Sequence, residues 1–210
     1  MLTLVIGNKS LSSWSLRPWL LLKHVGLEFR EINLLLDTPT FTAEADKYSP
    51  AGRVPVLLDD GFAVWDSLAI CEYINEKTHR RAWPSDMQAR AHARSIAAEM
   101  HSGFQALRQG WPLRAAEQLR VDLTAQGTED VARIDAIWQD CRRRYGAQGP
   151  WLFGAYSAAD AMYAPVVLRF NTYGANVSSS ARAYMQQTLS DTPLSEWLAA
   201  AERELALTSS

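Results

Sequence analysis

The chain has 210 residues, 48% of them hydrophobic and 21% charged, with a formal net charge of −2. That is enough apolar material for one large domain or two small ones sharing an interface, and the near-neutral balance gives no electrostatic reason to expect nucleic acid or an anionic membrane as partner. No apolar stretch approaches the ~20 residues that cross a bilayer, the start MLTLVIGNKS lacks a signal peptide's charged region, and Cys71 and Cys141 sit at apolar helical positions without disulfide or metal spacing, so a cytoplasmic protein is expected.

Residues 2–6 form a short apolar run rich in β-formers and read as a buried strand. A helix is predicted over about 13–24, closed by Gly26. FREINL, residues 29–34, alternates and reads as a second strand, parallel to the first through a helical crossover. Residues 56–58 and 63–65 flank Asp59-Asp60-Gly61, a hairpin signal, and a helix is predicted over 67–77. This order makes residues 1–79 a small α/β domain with a mixed sheet.

After Pro84 the strand signals fade. Ser85 with Gln88 has the spacing of a capping box, opening a long helix predicted to about residue 109. Val131, Ile134, Trp138, Cys141 and Tyr145 recur at spacings of three and four, one face of an amphipathic helix closed by Gly146. Residues 158–173 are apolar nearly all round, as in a central buried helix, and Thr192-Pro193 starts a last one. Residues 86–210 therefore read as an all-helical domain, with 80–85 as linker.

Three stretches carry chemistry. NKSLSSWSLRPW crowds Ser10, Ser12, Ser13 and Ser15 into the front of a helix, where one hydroxyl suffices as a cap and another is free to meet a ligand. Val54-Pro55 stands directly before a strand, either as a trans proline at the sheet edge or as a cis bond that turns the Val54 backbone toward an extended ligand. Asp66-Ser67 opens a helix. It reads as an ordinary N-cap, or as an anion site at the helix start beside a carboxylate that holds an ammonium group. That second pairing suits an α-amino acid head. His24, His79, His92 and His101 show no metal-ligand spacing, and helix-end or surface positions account for them. No metal is expected.

Together these stretches resemble the glutathione transferase family over almost the whole chain. SPAGRVPVLLDDGFAVWDSLAICEYI is similar to the family's Pro-x-x-x-Val-Pro-x-Leu stretch, hairpin, and acidic residue with Ser opening a helix. In WLFGAYSAADAMYAP, Ser157-x-x-Asp160 is similar to the capping box of its buried helix. The resemblance implies a thioredoxin-like N-terminal domain with a mixed four-stranded sheet, followed by an all-α domain.

It also implies residue roles. Pro55 would be cis, Val54 would pair its backbone with the cysteinyl part of glutathione, and Asp66 and Ser67 would hold the γ-glutamyl amino and carboxylate groups. Arg53 is the candidate for the glycyl carboxylate. SSWS looks like the Ser-Ser-Cys-Ser of the zeta class with Trp14 in the cysteine's place, which makes Ser12 the first choice to donate to the glutathione sulfur and Ser13 the second. A second-substrate pocket between the domains would draw on Trp14, Met100, Phe104, Arg108, Trp111 and Arg169. Arg169, in a buried-looking helix, needs a partner: an acidic electrophile or, as the simpler expectation, a local carboxylate. The implied function is that of a glutathione transferase, activating the thiol as thiolate for attack on a small electrophile in detoxification-type chemistry. Conjugation, isomerisation and peroxide reduction all remain open. A homodimer is implied as well. The alternative is a non-catalytic binder of glutathione or a hydrophobic ligand on the same fold.

Overall fold

The computed structural model describes residues 1–115 and 117–208. The chain opens with strand β1 (Leu2–Gly7), helix α1 (Ser13–Val25) and strand β2 (Phe29–Leu34). A short helix α2 (Phe41–Ala45) leads to the hairpin β3 (Val56–Asp59) and β4 (Phe62–Trp65), and helix α3 (Ser67–Lys77) follows. The four strands lie in the order β2-β1-β3-β4. β1 and β2 are parallel, while β1–β3 and β3–β4 are antiparallel. β1 takes an inner position because Leu4, Val5 and Ile6 are apolar in succession and all wholly buried, one face against each side of the sheet. Both cysteines are buried and free, and burial pushes each thiol up to about 12.

The remainder is helical: α4 (Met87–Ser102), α5 (Gln105–Gly110), α6 (Ala125–Tyr145), α7 (Ala158–Tyr173), α8 (Ser179–Leu189) and α9 (Thr192–Thr208). α7 is buried on nearly every side and packs on both α1 and α4, tying the sheet-bearing half to the helical half. Its start is held by Asp160, whose carboxylate accepts from the Leu152 and Ser157 amides and from the Ser157 hydroxyl at 2.9–3.1 Å. Burial lifts this carboxyl to about 6 against those bonds.

Two local expectations give way, and one helix was not foreseen. The cap of α4 is Asp86, which accepts from the Ala89 amide at 2.8 Å, in place of Ser85. The long helix ends at Ser102 because Gly103 turns extended and Phe104 takes φ 57°, starting α5 as a separate piece. A Cβ at Gly103 would sit 2.8 Å from the Glu99 carbonyl oxygen, so glycine is what the turn tolerates. α8 has no counterpart among the predicted elements. Its mixed polar sequence hides it, and its cap Ser178 is oriented from outside by Asp135 at 2.6 Å. Among the described residues no helix is long and apolar enough to cross a membrane.

Candidate functional site

A cavity of about 440 Å³ opens beside the start of α3. Arg53, Val54, Pro55, Asp66 and Ser67 line it together with Trp14 from α1. The remaining walls are Ser49, Ala51, Trp65 and His101. Residues predicted separately, at the front of β3, at the end of β4 and on α1, are thus brought to one place. The Val54–Pro55 bond is cis.

The start of α3 carries the cavity's polarity. Asp66, at φ 73°, caps the helix with Oδ1, which accepts from the amides of Leu68 at 2.9 Å and Ala69 at 3.2 Å. Its second oxygen lies 3.1 Å from Nε2 of His101, reaching in from α4. Because Asp66 does the capping, Ser67 is left over. Its hydroxyl is buried and finds no hydrogen-bond partner among the described residues. A buried hydroxyl without a partner costs about 1–3 kcal/mol, so a polar ligand group meeting it recovers that penalty. Helix N-terminal amides and their partial positive charge favour an anion at the same spot.

The serine cluster resolves into different tasks. Ser12 is the N-cap of α1: its oxygen accepts from the Ser15 amide at 3.3 Å, and its hydroxyl donates to Ser15 Oγ at 2.7 Å. Ser15 in turn accepts from the Gly7 amide at 3.1 Å, tying α1 to β1. Ser10 donates through its amide and hydroxyl to Glu204 of α9. Ser13 accepts a long bond of 3.4 Å from Arg169. The cavity wall takes in Trp14 but neither Ser12 nor Ser13.

Behind Trp14 the remaining pocket candidates spread out. Arg108 stands over the Trp14 ring at 5.3 Å. Arg169 is buried and donates to the carbonyls of Trp111 at 2.8 Å and Pro165 at 3.3 Å. The local carboxylate expected as its partner is replaced, among the described residues, by these carbonyls and the Ser13 hydroxyl. Trp111 stacks on Tyr173 and borders a separate cavity of about 360 Å³. Phe104 and Met100 are buried in the core.

Two ionisable residues in and behind the site escaped the sequence reading, as did the wall residues Ser49, Ala51 and Trp65. His101 reads as a helix-end histidine, and only the packing of α4 against α3 brings it to Asp66. Arg17 sits in the apolar run of α1, wholly buried behind Trp14. A charged residue among Leu16, Trp19 and Leu20 was the available signal.

Residues 11–77 match the glutathione S-transferase N-terminal domain family. The chain is 40% identical to maleylacetoacetate isomerase of Mus musculus over 101 residues, 47% of each chain. It is 38% identical to a probable maleylacetoacetate isomerase of Caenorhabditis elegans over 101 residues, 47% of this chain and 46% of the relative. Its alignment thus spans about half the length of these curated relatives. Among solved structures, a Burkholderia glutathione transferase homologue with bound glutathione superposes with a TM-score of 0.73 at 22% identity, covering 96% of this chain and 98% of the other. Sheet order and helical second half agree with the glutathione transferase fold, and residues 11–77 belong to the glutathione S-transferase N-terminal domain family.

Proposed function

We propose that the cavity at the start of α3 binds glutathione and that the protein activates its thiol as thiolate for attack on a small electrophile. The observation that carries this reading is the unpartnered, buried Ser67 hydroxyl on that cavity beside the Asp66 carboxylate. A γ-glutamyl head offers the matching groups: its carboxylate meets the Ser67 hydroxyl at the positive end of α3, and its ammonium meets Asp66. Val54 presents backbone to the cysteinyl part, and Arg53 at the exposed rim takes the glycyl carboxylate.

Between the two serines, bonding favours Ser13 for the sulfur. Ser12 spends its proton on Ser15, whereas Ser13 accepts from the Arg169 guanidinium and keeps its own proton to donate. A free thiol titrates near 8.5, so lowering it by about two units needs roughly 2.7 kcal/mol of preference for the anion. One charge-assisted hydrogen bond, about 1.5–3 kcal/mol, and a helix dipole, about 0.3–1 kcal/mol, supply that amount. The protein would act as a homodimer in the cytoplasm, with the electrophile entering beside Trp14. Residues 80–85 would join the two domains.

One observation favours the alternative of a non-catalytic glutathione or hydrophobic-ligand binder: neither Ser12 nor Ser13 borders the cavity. Titrating glutathione at neutral pH while following ultraviolet thiolate absorbance decides between them. Binding with thiolate formation, lost in Ser13→Ala, supports the enzyme. Binding without thiolate leaves a carrier, and no binding removes the reading altogether.

A further inference from the structure

Asp66 has one oxygen to offer a ligand, and His101 already covers it. Oδ1 accepts from the amides of Leu68 and Ala69, so α3 itself fixes the orientation of the carboxylate. Oδ2 lies 3.1 Å from Nε2 of His101, which reaches across from α4 and lines the same cavity. A ligand ammonium aimed at Asp66 therefore meets the imidazole at the oxygen it needs.

The imidazole is held there by little else. Its other nitrogen, Nδ1, is buried and has no hydrogen-bond partner among the described residues, an unfavourable state that a turn of the ring toward solvent relieves. Its aromatic neighbour is Trp14, edge-on at 5.3 Å between centroids. The side chain is 26% exposed, which leaves it an open side to turn toward. Because two amides already hold Asp66, the imidazole is not needed to aim the carboxylate.

The charges around the ring decide what its protonation does. On α3, Asp66 touches it, while Glu72 is taken up by Arg94. On α4 itself, Glu99 is bound by Arg133. From α1, Arg17 stands behind Trp14, and from α5, Arg108 stands over the same indole. Arg53 shares the cavity wall. α7, packed on α4, turns Arg169 to carbonyls and Asp160 to amides. Among the described residues, Asp66 is thus the carboxylate in contact with this imidazole. Histidine is the side chain whose charge ordinarily changes between about pH 5 and about pH 8. Protonated, the ring is a cation seated where the ligand's cation has to go. Neutral, it competes as a weak donor only.

We propose that His101 is a gate on the ammonium half of this site: it competes with the ligand's ammonium for the free oxygen of Asp66, so that the preference for amino-bearing heads rises with pH. The gate rests on the glutathione reading, which brings the ligand ammonium to Asp66.

The probes are S-methylglutathione, which has no thiol to ionise, and its counterpart lacking the α-amino group. Titration calorimetry follows both from about pH 5.5 to about pH 7.5, across the range in which histidine changes charge. The wild type should favour the amino-bearing peptide, and that preference should grow about 5- to 10-fold from the low end to the high end. His101→Leu should show the full preference at both ends and bind the deaminated peptide as the wild type does. His101→Gln keeps a neutral donor and should be equally flat with pH, which guards against a folding defect in the leucine variant. Proton NMR should show the His101 ring signal, identified by its loss in either variant, moving when the amino-bearing peptide is added and staying in place with the deaminated one. A wild-type preference that ignores pH overturns the proposal. So does a preference that collapses in both variants, which would make His101 a support of Asp66. Equal binding of the two peptides by the wild type keeps the cavity and sinks the gate alone. Binding of neither peptide by the wild type or the variants removes the glutathione reading and the gate with it.

Discussion

Two helix starts in this molecule use the same residue types to opposite ends. At α1, Ser12 caps the helix, gives its proton to Ser15, and Ser15 receives the Gly7 amide, so the hydroxyls close on one another and on β1. At α3, Asp66 takes over the capping with its carboxylate, and the serine beside it is buried without a partner on the wall of a cavity. The α7 start is a third case, closed like α1, with Asp160 satisfying the Leu152 and Ser157 amides. The difference teaches that a hydroxyl at a helix start speaks for a ligand only when something else already does the capping.

The sharpest contrast comes from removing each cap in turn. Asp160→Ala strips acceptors from two buried amides, at about 1–3 kcal/mol each, so chemical denaturation should show a loss of about 3 kcal/mol with no direct effect on the α3 cavity. An unchanged denaturation midpoint would mean that α7 needs no such closure. Ser67→Ala should behave in the reverse way. Glutathione affinity by calorimetry is expected to fall about 10- to 100-fold, the worth of a charge-assisted bond, while stability holds or rises slightly because an unmet hydroxyl is gone. A variant that binds as the wild type does would place the γ-glutamyl carboxylate elsewhere.

A pH series separates the two closed caps. The Asp160 carboxyl is raised to about 6 in the folded chain, against an unfolded value of about 3.9. The folded state therefore holds the proton more tightly, and this group's contribution is fullest below pH ~4 and lost as pH rises through about 6. Relative to Asp160→Asn, the wild type should lose up to roughly 2 kcal/mol of melting stability between those values. A gap independent of pH would show that the amide bonds outweigh burial. The smallest effect belongs to Ser12→Ala, expected to cost about 1 kcal/mol of stability and leave glutathione binding intact. If it abolished thiolate formation instead, Ser12 would be the activating serine and the distinction drawn between α1 and α3 would fail.

Much of the α3 half of this contrast was legible in the chain. Val54-Pro55 and Asp66-Ser67 are separated only by a hairpin, so local turn chemistry delivers them to one end of the sheet. The α1 half was not. Which of four neighbouring serines is closed depends on where β1, α7 and α9 lie, and those partners come from residues 7, 169 and 204. The break at Gly103 was missed for a similar reason. The apolar spacing continues through it, and the helix ends where Gly103 turns extended and Phe104 takes φ 57°.

By itself the sequence determined the strand and helix order of the N-terminal half, the hairpin, the capping box of α7 and the resemblance that the match over residues 11–77 bears out. These rest on periodicity and on contacts between residues close along the chain. The tertiary structure alone decided that His101 would face Asp66, that Arg169 would lie on carbonyls, and that Arg17 would stand buried and unmet behind Trp14. Each depends on how α4, α5 and α7 pack around α1, and long-range packing of that kind leaves no periodic trace in the residues it brings together.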